Sequence, residues 1–95
     1  MTAYFVAQFT VLNKEALVSY SGKAGPVIAS FGGSLIFKSM AGETLNGDNP
    51  HKGIAVFSFP DQETLKRCHD SAEYQALVEE RRQGADMVLS GYEAA

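Results

Sequence analysis

The chain of 95 residues is long enough for one domain, 1–95, and its 45% hydrophobic and 20% charged content is typical of a folded soluble protein rather than a disordered one. Eight Lys and Arg against eleven Asp and Glu give a net charge of -3 without the basic stripe of a nucleic-acid surface, so no nucleic-acid partner is expected. The apolar runs are too short to span a membrane, the start lacks a signal-peptide pattern and a single cysteine allows no internal disulfide, which together predict a cytoplasmic protein with no membrane partner.

Residues 3–11 alternate between two faces and are rich in aromatic and β-branched side chains, which predicts a first strand. Asn13 then stands where it can cap a helix, whose apolar residues recur at spacings of three and four: Leu17, Tyr20, Ala24, Val27, Ile28 and Phe31. The pair Gly25-Pro26 weakens this helix, but the apolar stripe keeps its phase across the pair. We therefore expect one kinked helix rather than two elements.

A pair of glycines and a short alternating run mark the second strand. Gly32-Gly33 is expected to end the helix, with one glycine in the left-handed conformation. Residues 34–39 are predicted to form a strand in which Leu35 and Phe37 share one face.

The segment 40–53 is rich in Gly, Asn, Asp and Pro, and we expect it to extend the strand around 43–45 and then turn at "NGDNP". Residues 54–59 are almost continuously apolar, which predicts a central third strand. Pro60 ends that strand, and Asp61 stands where it can cap a second helix.

The last third of the chain completes the pattern. Ser71 is a second cap inside the helical region, Gly84 closes this region, and residues 86–92 are predicted to form a fourth strand. The order β-α-β-β-α-β is that of the split βαβ, or ferredoxin-like, arrangement. The predicted fold class is therefore α+β: a four-stranded antiparallel sheet with both helices on one face.

Helices on one face would leave the other face of the sheet in water. The strands carry bulky residues on both faces, for example Ile54 and Val56 against Phe57 and Phe59. Such an apolar patch is larger than soluble monomers usually expose. We therefore expect a two-fold homodimer that buries one sheet against the other, with any ligand cavity between sheet and helices or between subunits.

Four stretches, "FGGSLIF", "GETLNGDNP", "AVFSFPD" and "SAEYQALVEERR", follow in the order and spacing of the domain of unknown function 1330 family. From Tyr4 to Gly91 the chain resembles this family of small proteins related to the dimeric α+β barrel superfamily. The resemblance implies a ferredoxin-like fold and a dimer but no particular reaction, since the superfamily includes cofactor-independent monooxygenases, lactone isomerases and haem-degrading enzymes. The chain departs from the family pattern at Cys68, where tryptophan is common, and at Gly53, where arginine is frequent.

Tyr74 and Arg81 are seven residues apart, about two helical turns, and so share a helix face. At the rim of a cavity they would orient a carboxylate or enolate oxygen. In a purely structural role, Tyr74 would pack in the core with its hydroxyl bonded locally, and Arg81 would meet an acidic neighbour at the dimer edge. Both alternatives stay open.

His69 and Ser71 lie close by in the chain. His69 has a side chain that titrates near neutrality, so together with Tyr74 and Arg81 it is a candidate catalytic residue. Ser71 is a candidate ligand-binding residue, but no nucleophile-elbow motif surrounds it and a capping role is favoured.

His51 and Glu43 are further candidate ligand-binding residues, because both belong to the loop-rich segment 40–53, where insertions often form the rim of a site. Neither histidine has metal-ligand spacing to a second His, Cys or carboxylate pair, so no metal site is expected. The "GETLNGDNP" pattern is not a phosphate loop, and no cofactor is expected.

Two functional hypotheses remain. The leading one is a dimeric protein that binds a small organic molecule and, if it is an enzyme, acts on a carbonyl or phenolic compound without a cofactor. Tyr74 and Arg81 would then stabilise an oxyanion and His69 would transfer a proton. The alternative is a non-enzymatic stress or accessory protein whose role is association with itself or a partner, with its sheet face buried and no cavity.

Overall fold

The computed structural model describes residues 1–95 as an antiparallel sheet with helices packed on one face. Its strands are β1 (Ala3–Val11), β2 (Ser34–Ser39), β3 (Gly53–Phe59) and β4 (Ala85–Glu93), in the order β2-β3-β1-β4. Its helices are α1 (Lys14–Ser30), α2 (Gln62–Asp70), α3 (Ala72–Gln75) and α4 (Val78–Gly84). The ferredoxin-like prediction is confirmed, with the second helical region divided into three short helices.

The register of the central strands decides which residues face the helices. Ala7 of β1 is paired with Ala55 of β3 and Leu89 of β4. Directly paired residues share a face of the sheet, and side chains two apart do so as well. Phe5 and Phe9 therefore lie on the same face as Ala7, and both are buried. We call this the helix-covered face, and the opposite one the open face.

The core lies between the helix-covered face and the helices. It consists of 14 buried hydrophobic residues: Ala3, Phe5, Ala7, Phe9, Leu17, Tyr20, Ala24, Ile28, Ala55, Phe59, Leu65, Cys68, Tyr74 and Ala85. Phe5 contacts Phe59 and Tyr74 edge to face, with both pairs of ring centroids 6.2 Å apart. Tyr20 and Tyr74 contribute the only side-chain hydroxyls of this core, and no polar or charged residue is buried.

Helix α1 is continuous across Gly25 and Pro26, so one element rather than two is confirmed. The Asn13 side chain accepts a hydrogen bond from the Ala16 amide at 3.1 Å, as a cap should. Gly25 has no Cβ to clash with the ring of the following proline, which lets the chain remain helical at that point. The helix ends before Gly32, whose φ of 85° is left-handed as predicted.

Strand β2 contains an irregularity that the sequence did not predict. Leu35 is paired with Phe57, but the register shifts before Phe37, which is paired with Val56. Since Val56 lies on the open face, the expectation that Leu35 and Phe37 share a face is wrong. An extra residue in one strand of a pair reverses the alternation beyond it. As a result, Lys38 is turned toward the helices.

The connection 40–52 contains no strand, so the extension expected around 43–45 is wrong. Its backbone groups are instead bonded within the loop: the Gly42 amide donates to the Lys52 carbonyl at 2.8 Å, and the Thr44 hydroxyl donates to the Asn49 carbonyl at 3.0 Å. The Thr44 bond is a local side-chain to backbone bond, and bonds of this kind compete with strand pairing.

The two caps predicted in the second helical region are confirmed. Asp61 accepts a hydrogen bond from the Thr64 amide at 2.7 Å, and Ser71 accepts one from the Tyr74 amide at 3.1 Å. The hydrogen bonds from Thr64 lower the pKa of Asp61. Ser71 has an extended backbone, which is why the helix is interrupted there. None of the helices has the length and apolarity needed to cross a lipid bilayer.

Candidate functional site

A cavity of about 340 Å³ lies between α1 and the helix-covered face of the sheet. Fourteen of its 18 lining residues are hydrophobic. The sheet provides Phe5, Ala7, Phe9, Ala55, Phe57, Met87 and Leu89, and α1 provides residues from Leu17 to Ala29. Small-molecule sites are typically apolar cavities of about 300–1,000 Å³ with a few polar groups, so this cavity has the expected size and lining.

The cavity opens between α1 and the edge strand β2. Ser21, Gly25 and Ala29 follow one another at four-residue spacing on α1, line the cavity and contribute little side-chain bulk. A Cβ added at Gly25 would meet no atom within 4 Å. Across the opening, Leu35 points toward the helix side and is nevertheless 55% exposed. The gap between helix and strand is therefore a route by which a small molecule could enter.

Two buried tyrosines form a polar end of the cavity. The hydroxyl oxygens of Tyr20 on α1 and Tyr74 on α3 are 2.5 Å apart, and both residues line the cavity. Arg81 on α4 donates a hydrogen bond from Nη1 to the Tyr74 hydroxyl at 3.3 Å. Burial, followed by the neighbouring Tyr74, raises the pKa of Tyr20. The Tyr20 phenol therefore stays protonated at neutral pH and can donate a hydrogen bond but cannot act as a base.

Lys38 is the one charged residue that lines the cavity. It reaches this position because of the irregularity in β2, after which it is paired with Ala55 on the helix-covered face. Regular alternation along the strand predicts instead that Lys38 lies on the same face of the sheet as Ile36. Tyr20 was likewise recognised only as part of an apolar helix stripe, because its hydrogen-bond partner comes from a residue 54 positions later.

The three predicted catalytic residues lie close together, with Arg81 and His69 beside Tyr74. Tyr74 is hydrogen-bonded to Arg81, and the ring centroid of His69 is 5.5 Å from that of Tyr74. Only Tyr74 lines the cavity. His69 lines a separate pocket of about 170 Å³, which shares Phe5 and Leu89 with the cavity but is not lined by Tyr74. The Nδ1 atom of His69 is 3.1 Å from the Asp70 carboxylate.

Ser71 has its hydroxyl fully engaged in local structure. Its Oγ donates to the Cys68 carbonyl at 2.7 Å and accepts from the Tyr74 amide at 3.1 Å. It does not line the main cavity. Cys68 beside it is 0% exposed, and burial, followed by the nearby Glu73, raises the pKa of its thiol. The thiolate form is therefore disfavoured.

The remaining candidates, His51 and Glu43, belong to the connection 40–52 and do not line the main cavity. His51 Nδ1 is 2.9 Å from the Thr10 hydroxyl at the end of β1. Glu43 is exposed and lines a polar surface depression together with Lys52. The His, Cys, Asp and Glu side chains form no group of three or more that could hold a metal ion.

Residues 2–94 match the sequence profile of the family described as Domain of unknown function (DUF1330). No curated protein matches the chain. A protein of unknown function from Rhodopseudomonas palustris has a similar structure, with a TM-score of 0.80 at 16% identity over 99% of this chain and 82% of that one. SnoaB, a cofactor-independent oxygenase from Streptomyces nogalater, gives a TM-score of 0.71 at 14% identity over 99% of this chain and 93% of its own.

A dimeric protein of unknown function and ferredoxin-like fold from Bacteroides fragilis gives a TM-score of 0.55 at 10% identity, over 98% of this chain and 96% of that chain. At such identities these likenesses establish the fold and not a shared reaction.

Proposed function

This chain belongs to the DUF1330 family, and we propose that it binds a small, largely apolar organic molecule in the cavity between α1 and the sheet. The observation that carries the proposal is the cavity itself. Protein interiors are packed about as densely as organic crystals, and voids larger than a water molecule are few. An apolar space of about 340 Å³ within a domain of 95 residues costs packing free energy that a bound ligand would restore.

The polar end of the cavity supports a ligand that carries a carbonyl or phenolic oxygen. The Tyr74 hydroxyl could donate to such an oxygen in place of Tyr20, and Arg81 would strengthen that donor through its own hydrogen bond. If a reaction follows, Tyr74 and Arg81 would stabilise developing negative charge on the ligand. His69 remains a candidate for proton transfer from the neighbouring pocket, which a ligand in the cavity would have to reach past Phe5 and Leu89.

A reaction without a cofactor is compatible with this fold, because SnoaB shares the fold and is a cofactor-independent oxygenase. The likeness supports the idea that such chemistry can take place in a protein of this fold. The choice between a binding protein and an enzyme therefore depends on identifying the ligand.

Binding is tested by closing the opening of the cavity. Ala29 is exposed on α1 and lines the cavity, whereas Ala16 is half-buried on the same helix and does not line it. N-phenylnaphthylamine, an uncharged apolar dye that fluoresces in apolar surroundings, serves as the probe. We expect the natural protein and Ala16→Phe to bind the dye and to unfold at a higher temperature with it. Ala29→Phe should lose both effects while remaining folded by circular dichroism.

Equal dye binding by the natural protein and Ala29→Phe would contradict the proposal, as would an absence of dye binding by the natural protein. Once binding is established, a thermal-shift screen of aromatic ketones and phenols identifies the preferred ligand class. Tyr74→Phe then separates the two roles of the phenol, since weaker binding of carbonyl ligands than of the hydrocarbon dye indicates a ligand contact.

The second candidate function, association, is supported by a different observation. The open face exposes large apolar side chains, of which Phe37, Val88 and Tyr92 are 49%, 51% and 58% exposed. We infer that two copies of the chain cover this face in a homodimer, as the dimeric Bacteroides fragilis relative suggests. The cavity is on the other side of the sheet, so dimerisation and ligand binding do not exclude each other.

A further inference from the structure

Two lysines lie near the surface at the end of the cavity that is closest to the start of α1 and the end of β2. Lys38 lines the cavity and also an adjoining surface groove, whose wall includes Lys14 at the start of α1. Leu17 and Ser21 line both spaces as well, so the groove continues the cavity. The rest of the groove is formed by apolar side chains and leads away from β2 toward the end of β1.

No acidic residue offsets these two charges. The cavity and the groove are lined by no Asp or Glu. Neither Lys14 nor Lys38 has a carboxylate within 4.0 Å. By contrast, Lys23 on α1 lies 3.1 Å from the Glu80 carboxylate. In a chain with a net charge of -3, the opening of the cavity is thus a local concentration of positive charge.

The position of Lys38 depends on the irregular register of β2. With regular alternation from Leu35 onward, Phe37 would face the cavity and Lys38 the open face. The observed register exchanges them, so that a cation replaces an aromatic ring at the opening of an apolar cavity. The same exchange puts Phe37 on the open face, where a second copy would cover it, and leaves the Lys38 ammonium group at the opening of the cavity.

We propose that the ligand is a monoanion with an apolar body, such as an aromatic or aliphatic carboxylate. The body would occupy the cavity, and the anionic group would lie at its opening between Lys38 and Lys14. This inference rests on the proposed binding function and adds the charge of the ligand and the side from which it is held. Complementary charge at a partly exposed opening contributes modestly to affinity and strongly to the choice of ligand.

Two dyes of nearly the same shape test the inference. Anilinonaphthalene sulfonate is N-phenylnaphthylamine with one added sulfonate, so the ratio of their dissociation constants reports the effect of the anionic group. We expect Lys38→Met to weaken binding of the sulfonate about twofold to fivefold, as one partly exposed charge contact would. Adding Lys14→Met should weaken it further, and Lys38→Arg should keep most of the affinity. None of these changes should affect the uncharged dye.

Lys52→Met is the matched control, because it removes the same charge from an exposed residue of the connection 40–52 that lines neither the cavity nor the groove. An equal loss in Lys52→Met and Lys38→Met would assign the effect to net charge and overturn the inference. An unchanged ratio in the Lys38 and Lys14 variants would do the same. If Ala29→Phe leaves binding of both dyes intact, the proposed binding site itself fails, and that outcome is distinct from a failure of the charge assignment.

Discussion

Tyr74 connects the cavity to the charged and titratable groups behind it. Its hydroxyl contacts Tyr20 inside the cavity and Arg81 outside it, and its ring lies beside that of His69. Because Tyr74 is only 1% exposed, its hydroxyl has no access to bulk water when the cavity is filled. The same residue can therefore serve the core and the site, and mutations must be designed to separate the two roles.

The two phenols should not contribute equally to stability. Tyr74→Phe leaves the buried Tyr20 hydroxyl without its partner, and we expect a loss of about 1–3 kcal/mol in the free energy of unfolding. Tyr20→Phe leaves Tyr74 bonded to Arg81 and should cost about 1 kcal/mol or less. The double variant should lose less than the sum, since it leaves no orphaned phenol. Urea unfolding followed by circular dichroism measures all three, and strictly additive losses would show that the hydroxyls do not interact.

The Phe9 ring leaves no room for a side chain at Gly53. Gly53 is paired with Phe9, and a Cβ at this position would overlap the Phe9 ring, which is 3% exposed and confined by the core. We expect Gly53→Ala to lower the free energy of unfolding by about 1–3 kcal/mol, as overpacking does. In a Phe9→Leu background the same substitution should cost clearly less. Denaturant midpoints of the four proteins check the coupling, and an unchanged cost in that background would contradict it.

Among the elements, α1 contains a proline that weakens the helix. Pro26 lies inside the helix, is exposed and lacks the amide hydrogen that would bond to the residue four positions earlier. Pro26→Ala should therefore raise the free energy of unfolding, by up to about 3 kcal/mol. Gly22→Ala is the comparison on the same helix, with open space for its Cβ and an expected gain of about 1 kcal/mol. Thermal unfolding measures both, and a destabilised Pro26→Ala would mean that the surrounding helix is adapted to the proline.

The contact between α1 and α4 should depend on pH. Glu80 accepts a hydrogen bond from the Ser19 hydroxyl at 2.8 Å and pairs with Lys23, and these contacts, with Ser19 foremost, lower its pKa. A depressed pKa in the folded state adds stability above the unfolded pKa of glutamate, and this stability is lost as the pH falls through the folded value. Ser19→Ala should raise the Glu80 pKa in an NMR titration. Ser30→Ala, on the same helix, should leave it unchanged.

The elements that the sequence predicted well are those determined by local patterns. The first strand was placed at Ala3–Val11 because its residues alternate strictly between two faces, and Asn13 and Ser71 were assigned as caps from the residues that follow them. The register of β2 depends on its pairing with β3 across a long connection, so alternation misplaced Phe37 and Lys38. For the same reason, local patterns indicated Tyr74 and Arg81 as a pair but could not indicate the contact of Tyr74 with α1.

At the scale of the whole molecule, the two faces of the sheet have different surroundings. The helix-covered face bounds the cavity, and the open face exposes large apolar side chains among polar ones, although the chain is only 17 Å thick along its shortest axis. A thin two-layer domain buries a limited core, and a second copy on the open face would add to it. The sheet would then be covered on both sides, and its rigidity would help to hold the floor of the cavity in place.

This arrangement predicts that the oligomeric state and ligand binding can be separated. Val56 is paired with Val6 at the centre of the open face, so Val56→Lys should place a charge inside the dimer interface. Sedimentation at micromolar concentration should show a dimer for the natural protein and a species of 10.2 kDa for the variant. Tyr92→Lys, at the end of the sheet, should weaken the dimer less, since energetically important contacts cluster at the centre of an interface. A natural protein that sediments as a monomer would exclude the dimer. Retained dye binding by monomeric Val56→Lys would show that a single chain completes the cavity.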